Sequence, residues 1–479
     1  MTSSTESASE TEPLLSSRSS VQADPDRSPV RNHHDDESSV RASRTSSPNK
    51  GLVPSPDGHP ASRETSILLR IAASMYSFII LGMMVSTLGV MVPQFETYYG
   101  LTDFQVSFVF LVWPVGYIIA AYLNGVIHVR FGQRGIAVVG PLFHIILTIA
   151  ASLHPPFPVL LVALALGSLG TGILDGSYCA WAGGMENANI VQGFLHGSYS
   201  TGAALGPFLA GTMLSVGHTT WYTWYYVLFG ASVLEAIILV FAFRFEDATK
   251  YHQDPHKQAQ LTPAREDADA GGADSHPSIF KHRVTWICAV YFLACVGTEN
   301  AVSGWIVVFM TRINHASPYL ASLSSSGFWI GQAAGRLALG AVTQKFGVRP
   351  ATIAYLVAAL AFEALFAAVR VPEVSTAVIS LLGFCLGPLF PSGVFVATRL
   401  LPRELHVGAI SFAVLIGQVG GALLPFALGA LADTLGIQVF QAVVFAQLAV
   451  TLLIWLAFPR LPPGNATSSQ DLVDEIANP

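Results

Sequence analysis

A ten-residue stretch occurs twice in this 479-residue chain, and the pair of copies limits the possible folds more than any other feature. Gly125-Val-Ile-His-Val-Arg-Phe-Gly-Gln-Arg134 and Gly340-Ala-Val-Thr-Gln-Lys-Phe-Gly-Val-Arg349 both read Gly, six residues, Gly, one residue, Arg, around a basic-Phe-Gly core. The copies lie 215 residues apart, and upstream of them Gly116 matches Gly331. Each copy joins two long apolar segments. A fixed offset between basic loops in an apolar chain predicts two homologous halves. The basic residues predict that both loops face the cytoplasm.

The rest of the chain fits a membrane protein. Residues are 52% hydrophobic and only 11% charged, whereas a soluble domain carries roughly a quarter charged residues. Twelve apolar segments, each near the ~20 residues a helix needs to cross a bilayer, are expected near 68–92, 104–127, 136–153, 157–182, 190–215, 222–243, 284–310, 318–342, 350–369, 374–398, 405–431 and 437–458. The expected division is a disordered cytoplasmic tail over 1–66, a six-helix half over 67–243, a polar cytoplasmic loop over 244–283, a second six-helix half over 284–459 and a short cytoplasmic tail over 460–479. No hydrophobic run precedes residue 67, so no cleavable signal peptide is expected. Lys and Arg gather on the side of the paired loops, with little more than Arg312 and Arg370 opposite, which places both termini in the cytoplasm.

Smaller signals add detail. Glu10, with Leu14 and Leu15, resembles an acidic dileucine sorting signal, the alternative being chance in a Ser/Glu-rich tail. The plasma membrane is the expected location, with a vacuolar or endosomal membrane as the alternative. The four cysteines sit inside apolar segments, without disulfide or zinc spacing. No metal, cofactor or nucleic-acid partner is expected, and no nucleophile-base pair or phosphate loop suggests an enzyme. Gly202-x-x-x-Gly206, Gly331-x-x-x-Gly335 and Gly417-x-x-x-Gly421 predict close helix packing. Gly202, Pro207 and Gly211 are answered by Gly420, Pro425 and Gly429 in the second half.

Several stretches carry a family resemblance: Asn124-Gly-Val-Ile-His-Val-Arg-Phe-Gly-Gln-Arg-Gly135, Ser152-Leu-His-Pro-Pro156, Gly172-Ile-Leu-Asp175, Leu195-His-Gly197, and Gly297-Thr-Glu-Asn300 with Gly304-Trp305. Together with the paired loops they resemble the major facilitator superfamily, and within it the fungal branch of bypass-of-stop-codon type, distantly related to fucose permeases. The resemblance covers the apolar region and excludes the tails. It implies an all-α membrane protein of twelve helices that moves a small organic solute by alternating access, with the first, fourth, seventh and tenth helices lining the path. Three departures from the pattern stand out. Val129 and Gln344 stand where the paired loops usually have an acid, Met84-Val85 replaces an Asn-Asp pair, and Cys179 replaces an Asn.

Ionisable residues inside membrane helices are functional candidates by default, because burying them is expensive. Four acids qualify: Asp175, Glu235, Glu299 and Glu363. Glu299, with Asn300, Trp305 and Gln332, is a candidate for proton coupling or substrate binding; a buried structural hydrogen bond is the alternative. Asp175 shares a helix face with Thr171, Tyr178 and Cys179, and stands equally between proton coupling and helix pinning. His196, near Tyr199 and Ser200, is either a relay or a packing donor. Trp329 and Gln418 suit an amphipathic ligand, and Arg336 is expected to pair or snorkel. The resemblance places Glu235 and Glu363 peripherally, which favours structural roles. In the paired loops, Gly125, Arg130, Gly132 and Arg134, with Gly340, Lys345, Gly347 and Arg349, are the expected cytoplasmic gate, topology signalling being the alternative. The partners implied are a small organic solute, protons and membrane lipid, around a monomer. Symport, efflux by proton antiport and a non-transporting nutrient sensor all remain open. Gly193, Gly202, Gly206-Pro207 and Gly211 resemble the motif of the superfamily's drug-proton antiporters, which favours efflux, but fucose-permease relatives, often proton symporters, also carry Gly-Pro here.

Overall fold

The computed structural model describes residues 66–185, 188–249, 279–402 and 405–459. Glu10, Leu14 and Leu15 and both tails lie outside the described residues, as does most of the central polar loop. Among the described residues the regular structure is entirely helical. Before the central loop come α1 (Ile67–Ser86), α2 (Leu88–Tyr99), the single turns α3 (Asp103–Val106) and α4 (Phe108–Leu111), α5 (Trp113–Ser152), α6 (Phe157–Gly183), α7 (Ala188–Ser215) and α8 (Trp221–Ala242). After it come α9 (Arg283–Arg312), α10 (Pro318–Phe346), α11 (Val348–Ala368), α12 (Pro372–Leu386), α13 (Leu389–Leu400), α14 (His406–Leu435) and α15 (Val439–Ala457).

Local chemistry sets the boundaries. Thr102 and Gln105 cap each other's backbone at the start of α3. Pro318 and Pro372 occupy first helical positions, where a missing N–H costs nothing. Gly100 ends α2 in the left-handed conformation. The expected loop over 125–134 proves to be almost wholly helical. Within α5 only Gly132 leaves helical geometry (φ 68°, ψ −164°), and its counterpart Gly347 (φ 88°) separates α10 from α11. A Cβ at Gly132 would also lie 2.4 Å from the Asp247 backbone, so both the angle and the space require glycine.

Nine described stretches are long and apolar enough to cross a membrane. Lipid tails are as apolar as leucine, so these helices gain their association from close packing rather than from expelling water. The glycines provide it. In α7, a Cβ at Gly202 would lie 2.0 Å from the Ile79 carbonyl of α1, and in α14 one at Gly420 would lie 2.2 Å from the Leu293 carbonyl of α9. Backbone thus meets backbone in the same way in both sets of helices.

The helices preceding and following the central loop meet along α7 and α10, α2 and α9, and the turns α3 and α4 against α14. At the end away from the paired loops the contact is tight. A Cβ at Gly89 would collide with the Ser303 carbonyl, and one at Gly304 with the Phe110 ring. Arg312 reaches across to Glu96 (2.5 Å) and Asp103 (2.8 Å). At the paired-loop end, by contrast, a Cβ at Gly125, Gly193, Gly197 or Gly340 would meet nothing within 4 Å.

Candidate functional site

The polar residues inside the bundle concentrate around Glu299 on α9. Its carboxylate accepts a hydrogen bond from the Gln332 amide of α10, and Arg336 Nη2, one turn further along α10, lies 3.4 Å away. Gln332 and Arg336 share a helix face by their four-residue spacing. Arg336 holds the cluster together: Nη2 also donates to Gln332 Oε1 (3.1 Å), Nε to the Gly387 carbonyl at the end of α12 (3.3 Å), and Nη1 to Ser200 Oγ of α7 (3.0 Å). One guanidinium therefore ties three helices of the second set to one of the first. The fork geometry of arginine suits such divided service.

A second acid lies nearby on the first set. Asp175 of α6 accepts a weak bond from Cys179 Sγ (3.5 Å), and Tyr117 and His196 are its other polar neighbours. His196 is exposed and meets Phe78 edge-on at 6.1 Å. Tyr199 stands within electrostatic reach of both Asp175 and Glu299 and contacts Trp329 at 6.3 Å. The Trp329 indole donates to Ser303 Oγ, one turn from Glu299 (3.0 Å). The Arg336 side chain keeps 25% exposure, so the cluster communicates with space outside the protein.

Of the expected site residues, the fold thus gathers Glu299, Gln332, Asp175 and His196. Two others lie apart. Asn300 turns its amide to the Val296 carbonyl (3.1 Å) and packs beneath Gly421 of α14. Trp305 is fully buried, donates to the Pro425 carbonyl (2.9 Å) and packs against Phe110. Both follow from helical rotation: at ~100° per residue, Asn300 points ~100° away from Glu299 and Trp305, six residues on, a net ~240°.

The paired loops are each tied within their own set of helices. The Arg134 backbone N–H donates to the Glu246 carbonyl (2.9 Å), while Arg349 reaches the Pro459 and Leu456 carbonyls (2.8 and 3.2 Å). Arg130 and Lys345 lie over Phe131 and Phe346, at 5.5 and 5.6 Å.

The peripheral acids differ from each other. Glu235 of α8 is fully buried and joins three other helices: it accepts from Ser77 Oγ (2.6 Å) and pairs with His144 Nδ1 (2.9 Å), whose Nε2 meets Thr171 Oγ (3.1 Å). Glu363 of α11 is equally buried, and neither of its oxygens has a hydrogen-bond partner among the described residues. Among the described residues no cluster of His, Cys, Asp and Glu is arranged to hold a metal.

Sequence reasoning did not single out two elements. In the sequence Arg312 is only a charge on the sparse side, and nothing there marks Glu96 or Asp103 as its partners. Their partner lies more than 200 residues away in the chain.

Similar proteins agree with this architecture. The chain is 28% identical to Bypass of stop codon protein 6 of Saccharomyces cerevisiae, over 83% of this chain and 84% of that protein. It is 22% identical to Membrane protein MosC of Rhizobium meliloti, over 77% and 85%. A crystal structure of a D-xylose-proton symporter superposes with a TM-score of 0.65 at 13% identity, covering 82% of this chain and 98% of that one. A crystal structure of the nucleoside transporter NupG, in a mutant form, gives 0.63, also at 13% identity, over 81% and 99%. The family model described as Major Facilitator Superfamily matches residues 75–314 and 287–472. The chain is a multi-pass membrane transporter and belongs to the Major Facilitator Superfamily.

Proposed function

We propose that this protein is a proton-coupled secondary transporter that moves a small organic solute by alternating access. Its proposed frame has twelve spans in two halves, 67–243 and 284–459, with both termini and the 244–283 loop in the cytoplasm. The count follows from the nine apolar stretches. Gly132 divides one of them into two, and α7 and α10, of 28 and 29 residues, add two more. Glycine, serine and polar site residues make those two less apolar without shortening them. The tight contact at the outer end and the uncovered glycines at the paired-loop end favour a state open to the cytoplasm.

One observation carries the reading: the Glu299–Arg336 pair bridges the halves through Ser200. In that position, protonation of Glu299 weakens its pairing with Arg336 and so alters the guanidinium whose bond to Ser200 links the rocking parts. Solute bound beside Trp329 and Tyr199 senses the same change. The symporter and nucleoside transporter of like fold support a solute of comparable size. Export is the second reading, favoured by the Gly202/Gly206/Gly211 face of α7, which packs on α1 and on Ser322 of α10.

The test is comparative metabolomics of cells and medium, with wild type, Glu299→Gln and empty vector expressed in a transporter-poor yeast. Enrichment of a compound in wild-type cells identifies a cargo taken up, and enrichment in the medium identifies an exported one. A cargo moved equally well by Glu299→Gln and by wild type contradicts the proton-coupling assignment.

A further inference from the structure

The buried ion pair at the heart of the first half has no place in the function so far described. His144 and Glu235 are both 0% exposed, and neither belongs to the Glu299 cluster. Burying an imidazole and a carboxylate together is often no better for stability than packing apolar residues in the same volume, so the fold alone does not explain them. The internal repeat provides a control. At the offset of 215 that matches Gly82 with Gly297, Gly132 with Gly347 and Gly172 with Gly387, Ser77 falls on Phe292, His144 on Ala359 and Thr171 on Leu386. All three are buried. The buried stripe of α15, formed by Phe440, Val444, Leu448, Thr451 and Trp455, contains no acid. The His–Glu pair therefore has no counterpart in the second half, where the buried acid of α11, Glu363, falls instead on the position of Thr148 and has no described partner.

The hydrogen bonds around the pair accommodate two protonation states. With His144 neutral, the Nδ1 beside the Glu235 carboxylate carries the proton, and Nε2 accepts from the Thr171 hydroxyl at 3.1 Å. A second proton goes to Nε2, which must then donate. Thr171 Oγ can accept it, because its own hydrogen has another acceptor ready, the Gly167 carbonyl at 3.2 Å. The second carboxylate oxygen keeps its bond from Ser77 in either state. No polar atom of the triad is orphaned by the change, a condition that a buried titrating site must meet.

The other polar groups facing the pair are neutral hydroxyls. Thr148 bonds the His144 carbonyl, Tyr76 bonds the Ala231 carbonyl, and Tyr178 and Ser232 are buried without described partners. The nearest acid along α6 is Asp175, one turn beyond Thr171 on the same face.

We propose that His144 and Glu235 form a second proton-binding centre, with the Thr171 hydroxyl as the reversing bond that lets the proton enter and leave at Nε2. The centre is sealed from water in this conformation and holds its proton occluded until the helices move. A proton bound here would be felt on the α6 face that carries Asp175. The inference rests on the proton-coupled reading above, but its test reads protons rather than transport, so either can fail alone.

Infrared difference spectra of the purified full chain, labelled with ring-13C histidine, are recorded between about pH 8 and about pH 5.5, a span that brackets the ordinary histidine range. Wild type minus the double variant His144→Ala/Glu235→Leu, which replaces the pair by apolar side chains, is expected to contain one protonating histidine. Glu235→Gln is expected to lose that band, Thr171→Val to weaken it several-fold, and Thr171→Ser to retain it. Wild type and the double variant giving the same histidine signal overturns the centre. An unchanged band in Thr171→Val overturns the hydroxyl as its switch.

Discussion

Replacing Arg312 with alanine is expected to shift the protein from its present conformation toward one open at the end away from the paired loops. Arg312 is a charged link between the two sets of helices at that end. It makes two charge-assisted hydrogen bonds, at 2.5 Å to Glu96 and 2.8 Å to Asp103. Buried bonds of this kind contribute roughly 1.5–3 kcal/mol each. Arg312 is 41% exposed, however, and exposed ion pairs are worth only about 0.2–1 kcal/mol. The two acids are much less exposed, at 7% and 11%, which places the combined effect near 1–2 kcal/mol. A change of that size alters a two-state ratio by roughly 5- to 30-fold. Spin labels at Tyr98 and Leu435, both exposed near the outer ends of α2 and α14, report the separation once the four native cysteines are replaced. The short-distance population dominates in wild type and is expected to give way to a longer one in Arg312→Ala. Arg312→Lys, a point charge without the fork, falls between them. Identical distance distributions in wild type and Arg312→Ala would refute the clamp.

Other consequences follow from the same structure. Burial, reinforced by Asp103, pushes the Glu96 carboxyl up to about 8 against the pull of Arg312. An opened clamp returns it toward its ordinary 4.5, so the closed form binds more protons in between. Closure is therefore favoured in acid and lost as pH rises toward 8, and the same pair of labels should record this. His144→Ala leaves the Glu235 charge buried without its partner and should destabilise the protein by about 3–5 kcal/mol, whereas His144→Ala/Glu235→Leu should recover most of the loss in a thermal melt. Glu363→Leu removes two unpartnered buried oxygens and should raise the melting temperature, by the equivalent of about 1–3 kcal/mol; a lower melting temperature would mean that Glu363 has a partner the described residues do not provide.

The helices were legible in the sequence because they follow from local and periodic signals. Gly132 and Gly347 were recognisable as equivalent, and the glycine-rich faces of α7 and α14 pack against backbone as their spacing implied. Glu299 and Gln332 were named together, and the fold joins them. The pairings of Arg336 with Ser200 and of Ser77 with Glu235 were not legible, since their partners lie 136 and 158 residues apart. Asn300 and Trp305 were placed with Glu299 by proximity in the chain, but helical rotation carries them to the α14 side. Arg312 looked like a topology marker because only the folded bundle brings Glu96 and Asp103 to it.

The most direct test of the account is a proton flux measured with the reconstituted protein. Proteoliposomes containing wild type or Glu299→Gln, loaded with a pH-sensitive dye, are given a gradient of the cargo identified by metabolomics. The account predicts that wild type moves protons with the cargo, and that Glu299→Gln exchanges labelled cargo across the membrane without moving protons. Cargo-driven proton flux that survives in Glu299→Gln at the wild-type rate would contradict it.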